Sequence, residues 1–259
     1  MGIRLASFSL LAGIAALGLV ADARAGDFYL TGNLAISTGT GDSGGSTDFF
    51  PNTGSDSDSA PAYGGALGFG FKLNEAIPKS WGVPLPPDWG LRFEFEGMTG
   101  REYELRTKGG DGYFTEVSAW TFMPNLWIDI PLDQPIAWAF GRIPILEPLT
   151  LYTGAGFGLS TADLDATDNV SRGHKEQFLF GWQAGIGLAY ELTQRVTLAA
   201  GYRYVDLGQP KVTLKIPPAA EPFGKYTLAL AAHEFNFGVR VNFYTIPYPE
   251  KWALRRDAR

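Results

Sequence analysis

The chain has 259 residues, a net charge of −6, 33 glycines, 14% aromatic residues and no cysteine. No disulfide framework can carry its stability, and the acidic balance argues against nucleic acid as a partner. Much glycine with many aromatics describes a turn-rich, strand-rich chain.

The first residues read as an export signal. Arg4 supplies a positive start, an apolar run covers residues 9–20, and Ala23-Arg24-Ala25 is an A-x-A cleavage site. Residues 1–25 are therefore expected to be a signal peptide, cleaved after Ala25. The run is too short to cross a bilayer as a helix, and no later segment reaches the ~18 apolar residues that a helix needs. The exported chain either becomes soluble or enters a membrane as strands.

Eight segments then alternate with period two: residues 27–37, 62–73, 89–105, 113–130, 149–161, 177–192, 196–205 and 226–243. The odd connections, at 38–61, 106–112, 162–176 and 206–225, are polar and mostly long. Thr193-Gln194-Arg195 is a tight even turn. Long loops at one end and short turns at the other are the habit of an outer-membrane barrel. Two even connections, 74–88 and 131–148, are long and proline-rich. A strand near residues 136–140 would raise the count to ten.

Parity separates two faces. Leu91, Phe93 and Phe95 oppose Arg92, Glu94 and Glu96; Phe235, Phe237, Val239, Val241 and Phe243 oppose Glu234, Asn236, Gly238, Arg240 and Asn242. A charge facing lipid at midplane costs about 2–4 kcal/mol, so the charged parity is expected inside. Arg92, Glu94, Glu96, Arg203, Glu234 and Arg240 form the expected interior charge network. Arg203 and Glu234 should pair directly, and Arg92, Glu94, Glu96 and Arg240 should meet across a glycine-lined wall. Trp120, Trp182, Tyr202 and Tyr204, with Tyr63 and Tyr103, lie toward the loops. Trp89, Tyr190 and Phe243 lie toward the turns, so two membrane-interface belts are expected.

The glycine stripe Gly154-Ala155-Gly156-Phe157-Gly158, the strand Gly181-Trp182-Gln183-Ala184-Gly185-Ile186-Gly187, the run Gly201-Tyr202-Arg203-Tyr204-Val205-Asp206 and the strand at 233–243 follow in this order. The chain thereby resembles the opacity-protein and OmpA-transmembrane-domain-like superfamily of small outer-membrane barrels. The resemblance implies an all-β fold, an eight-stranded antiparallel up-and-down transmembrane β-barrel, in the bacterial outer membrane. The domain plan is then a signal peptide (1–25), a barrel (26–243) and a periplasmic C-terminal tail (244–259), whose Pro247 and Pro249 discourage a ninth strand.

No catalytic constellation emerges. Gly39-Thr40-Gly41-Asp42-Ser43-Gly44 satisfies G-x-G-x-x-G but opens no helix. Asp42, Asp48, Asp56 and Asp58 match no defined cation loop. The two histidines, His174 and His233, have no serine placed as a partner. No cofactor or metal is expected. The leading expectation is a surface protein with a structural, adhesive or antigenic role carried by its outer loops. A narrow porin-like channel is the alternative, and a lipid-modifying enzyme a third reading. Expected partners are outer-membrane lipid and lipopolysaccharide, the barrel-assembly machinery during insertion, and an extracellular ligand of the loops. Such a chain should fold in detergent and migrate differently on gels when boiled. Recovery of the processed chain wholly in the soluble fraction would remove the barrel assignment.

Overall fold

A computed structural model describes residues 26–47, 53–73, 88–107, 113–133, 139, 141, 143–168, 170–217 and 221–246. Within them nine strands run antiparallel in one sheet: β1 (Gly26–Thr47), β2 (Thr53–Lys72), β3 (Gly90–Thr107), β4 (Tyr113–Pro131), β5 (Leu149–Thr167), β6 (Arg172–Thr193), β7 (Val196–Gly208), β8 (Lys211–Ile216) and β9 (Glu221–Ile246). Each of the first six pairs with the next, β7 pairs with β9, and β9 returns to β1. The ring therefore closes on itself at eight positions. β7 and β8 share one position. β7 covers β9 from Val241 to Leu230 and β8 continues from Thr227 to Glu221, with Pro210 between them. Proline cannot donate to a ladder, which divides this strand in two. The ten-strand alternative falls because β4 pairs directly with β5.

Register gives the stagger. From Asp27 the partners run through Gly70, Arg92, Trp127, Gly154, Gly185, Arg203 and Glu234 back to Ser37. Return to β1 occurs ten residues beyond the start. Eight strands with that stagger make a narrow barrel whose interior is filled by side chains. Partners directly opposite share a face, so this whole line points inward.

The outer face has two zones. Nearest the β1–β9 seam ends, the outward residues are apolar and exposed: Leu30, Leu34 and Ile36 on β1, Phe180, Trp182, Ile186 and Leu188 on β6, and Phe235 to Phe243 on β9. Leu34 is 66% and Phe235 60% exposed, values that only lipid makes affordable. On β1 this zone runs from Phe28 to Ile36, which matches the 9–11 residues a tilted strand needs to cross a bilayer. Beyond Ile36 the strands continue. Segments expected as outer loops are largely sheet: Thr38–Thr47 pairs with both β9 and β2, and 162–167 pairs with 172–177. Glycine, serine and aspartate mark turns when the backbone has no partner. For Thr38–Gly44 and 162–167 a neighbour on each side satisfies the N–H and C=O groups, and the small residues fit the crowded interior.

One bulge redirects a strand. Met98 faces Thr121 but Arg101 faces Ala119, and Gly100 between them has φ +85°. The extra residue inverts parity. Arg101, Tyr103 and Leu105 turn inward and are fully buried, so Tyr103 leaves the interface belt expected for it. At the other end, β9 carries Tyr244, Thr245 and Ile246 against Phe28, Asp27 and Gly26. The wall thus continues past Phe243 to Ile246; residues 1–25 and 247–259 lie outside the described residues. Gly100→Ala places a side chain in the left-handed region and against the Tyr63 ring. It should destabilise the barrel by about 1–2 kcal/mol, read as a lower midpoint in urea unfolding from lipid vesicles.

Candidate functional site: the filled interior and the outer wall

Polar side chains fill the lipid-level interior. At its centre Glu234, with no exposed surface, receives two arginines. Arg101 donates from Nε at 2.6 Å to one oxygen, and Arg203 donates from Nε at 2.6 Å to the other. Ser37 adds a hydroxyl donor at 2.7 Å and itself meets the Tyr103 hydroxyl at 2.6 Å. Arg203 also donates through Nη1 to both oxygens of Glu96, at 2.8 and 2.9 Å. Asn33 and Gln183 complete Glu96 at 3.1 and 3.0 Å.

A second set lies nearer the seam ends. Arg92 donates from Nε to Asp129 at 2.6 Å and from Nη1 to Glu94 at 2.5 Å. The Tyr29 hydroxyl and the Trp127 indole N–H reach Glu94 at 2.8 and 2.9 Å. Arg240 sits 4.0 Å from Asp129, with its guanidinium 5.1 Å above the Tyr29 ring. Glycines make the room. A Cβ at Gly70 would meet Arg92, one at Gly154 the Trp127 ring, and one at Gly185 both Arg203 and Trp127. Large residues on β3, β4 and β7 thus lean over the bare backbone of β2, β5 and β6.

The six expected charges all face this interior, but they form two clusters. Glu96 belongs with Arg203 and Glu234, while Arg92, Glu94 and Arg240 gather around Asp129. Sequence reading missed Arg101, whose parity the Gly100 bulge inverts, and Asp129, which lies at the strand end. The signal for Arg101 was a glycine inside an alternating strand, a mark of a bulge. Between the clusters a polar cavity of about 40 Å³ is lined by Asn33, Glu94, Glu96, Arg203 and Arg240 among others. It has room for a small water cluster.

Beyond the lipid zone the interior changes character. Tyr103, Leu105, Val117, Leu164, Leu207, Leu214, Tyr226, Leu228 and Leu230 form one buried apolar cluster. Glu102, Glu104, Glu116 and Lys225 face out there. Asp58 and Asp56 accept the backbone N–H groups of Glu104 and Arg106 at 2.9 and 2.7 Å, replacing ladder bonds where β2 and β3 part. That structural duty uses two of the aspartates considered for cation binding; Asp48 lies outside the described residues.

The aromatics expected at the interfaces stand toward the two ends of the apolar zone, while Phe95 and Phe237 face out between them. Trp120, Trp182 and Tyr204 stand at the outer margin, with Tyr202 just inside it; Trp89, Tyr190 and Phe243 stand at the seam end. Trp182 and Tyr204 pack at 5.3 Å, and the Tyr202 hydroxyl bonds His233 Nδ1 at 2.5 Å. His174 meets Asp163 at 3.3 Å.

The profile of the family described as outer membrane protein beta-barrel domain matches residues 6–243. Among solved structures, Neisserial surface protein A shows 20% identity over 85% of this chain and 99% of its own, with a TM-score of 0.44. The outer membrane protein OprG from Pseudomonas aeruginosa shows 16% identity over 85% and 98%, with a TM-score of 0.46. The outer membrane protease OmpT from Escherichia coli shows 8% identity over 84% and 97%, with a TM-score of 0.37. No curated protein matches significantly.

Glu234→Ala strands two buried guanidiniums at once and should lower stability by about 3–5 kcal/mol. Arg240→Ala removes a 4.0 Å ion contact and a cation–π contact at the edge of the network and should lower it clearly less. Urea unfolding of both variants in vesicles measures the order.

Proposed function

Because the chain belongs to the outer membrane protein beta-barrel domain family, and so resides in the bacterial outer membrane, we propose that it works as a surface protein through its outer wall and outer end. The role is structural, adhesive or antigenic, without catalysis or transport. The observation that carries this reading is the double filling of the lumen. A salt-bridged layer occupies the lipid zone and an apolar core occupies the projecting ring. A solute would have to break both.

Among the described residues the surface beyond the membrane is sheet, supported from within by packed leucines and tyrosines. That gives a rigid platform on which an extracellular ligand can meet a fixed pattern of side chains. The partners on this reading are outer-membrane lipid and lipopolysaccharide around the wall, the barrel-assembly machinery during insertion, and an external ligand at the outer end. Solved structures similar to this fold include an outer membrane protease and the outer membrane enzyme PagL, so catalysis needs its own argument. Here His233 is bonded to a tyrosine and His174 to an aspartate, and neither pair supplies an activated serine nucleophile.

In planar bilayers the protein should show no steady conductance above the lipid baseline. Reproducible open steps in the wild-type protein would replace the surface reading with the channel.

A further inference from the structure

The projecting ring is electrically two-sided. On β3–β5 the outward residues Glu104, Glu116 and Asp165 stand directly opposite one another in succession. On the strands that follow round the ring, Arg172 of β6 faces Lys215 of β8, and Lys225 of β9 faces Thr213, between Lys211 and Lys215. Lys211, Lys215, Lys225 and Arg172 are all exposed. Like charges directly opposite on a sheet destabilise it, yet an acidic chain gathers four cations here. Arg172 is neutralised in part by Asp165 at 3.3 Å.

Placement narrows the partner. These side chains have the outward parity of the lipid-facing wall, so they look sideways and not toward the tip. They stand roughly 10–20 Å beyond the lipid zone, at ~3.3 Å per residue and a strand tilt of ~40°. Beneath them on β6 and β9 lie Phe178, Phe180, Trp182 and Phe235, an exposed aromatic wall, with Tyr204 of β7 half-buried against Trp182. A single molecule that meets both zones is an amphiphile with acyl chains below and several anionic groups above.

We infer that the β6–β8–β9 wall binds lipopolysaccharide, with Lys211, Lys215 and Lys225 holding the phosphate and carboxylate groups of its core sugars. This deepens the lipid partnership proposed above and rests on it. The acidic β3–β5 wall repels the same groups, so the bound lipid is confined to one side of the barrel.

The test uses the full mature chain folded in detergent and lipopolysaccharide with an intact phosphorylated core. Retained lipid is counted by native mass spectrometry, and heat-dependent gel migration verifies the barrel in every variant. The K211Q/K215Q/K225Q protein should bind roughly a hundredfold more weakly, at about fivefold per lysine. Wild-type protein should lose binding similarly toward lipopolysaccharide stripped of core phosphate, an arm that needs no variant. The K211R/K215R/K225R protein should retain binding, and E104Q/E116Q should bind at least as well as wild type. Equal retention by wild type and the glutamine variant overturns the inference. So does equally tight binding of a lipid-free anionic polysaccharide, which would make the partner an external glycan. A conductance or hydrolysis signal would bear on the surface-protein reading and leave this binding result standing.

Discussion

Closure at eight strands is the constraint from which the other features follow. Each wall strand has a partner on both sides, so no edge is offered to lipid, where an unpaired backbone group has no water to turn to. The same closure leaves a tube too narrow to hold open water along its length. Inward charged side chains must then find their partners among other inward side chains. Glu234 shows the consequence. It is dry, and its four nearest donors come from β3, β7 and β1, elements far apart in sequence that only closure brings together. A buried charge of this kind is tolerable because it is shared between two guanidiniums and a hydroxyl.

The medium outside sets what the inside must be. While lipid surrounds the wall, the outward parity is apolar and the polar residues have only the lumen. Where water replaces lipid, the outward parity turns polar and the lumen becomes an ordinary hydrophobic core. On β1 and β9 the alternation continues through the change; only its sign reverses, between Ser37 and Gly39 on β1 and between Glu234 and Ala232 on β9. Gly39 and Gly41 lie just past this change, where the rings and side chains of Tyr103, Leu105 and Leu228 take the space a Cβ would need.

This reversal explains what was legible in the sequence. Strand count, the pairing of Arg203 with Glu234 and the inward parity of Arg92, Glu94 and Glu96 all follow from period two plus the cost of charge in lipid. The Thr38–Thr47 and Thr53–Pro61 segments were not legible as strands, because their residues have weak β-propensity and their stabilisation comes from partners across the ring. Arg101 was hidden for a different reason. Parity counts residues, and one bulge at Gly100 offsets the count for everything after it until the turn. Asp129 was hidden because alternation weakens at strand ends, and its role is defined only by Arg92 reaching it at 2.6 Å.

Filling the projecting ring from within also bears on what the molecule offers to its surroundings. A loop would present Glu104, Glu116 or Lys225 in many arrangements, and a ligand would have to pay the ordering cost on binding. A strand fixes each of them at a set height and angle, because its alternate residue is locked in the core: Leu105 beside Glu104, Val117 beside Glu116, Tyr226 beside Lys225. The buried cluster and the exposed charge pattern are thus two faces of the same alternation. Changing a core residue there disturbs the neighbouring charges, and the outer surface inherits its rigidity from leucines and tyrosines that no partner ever touches.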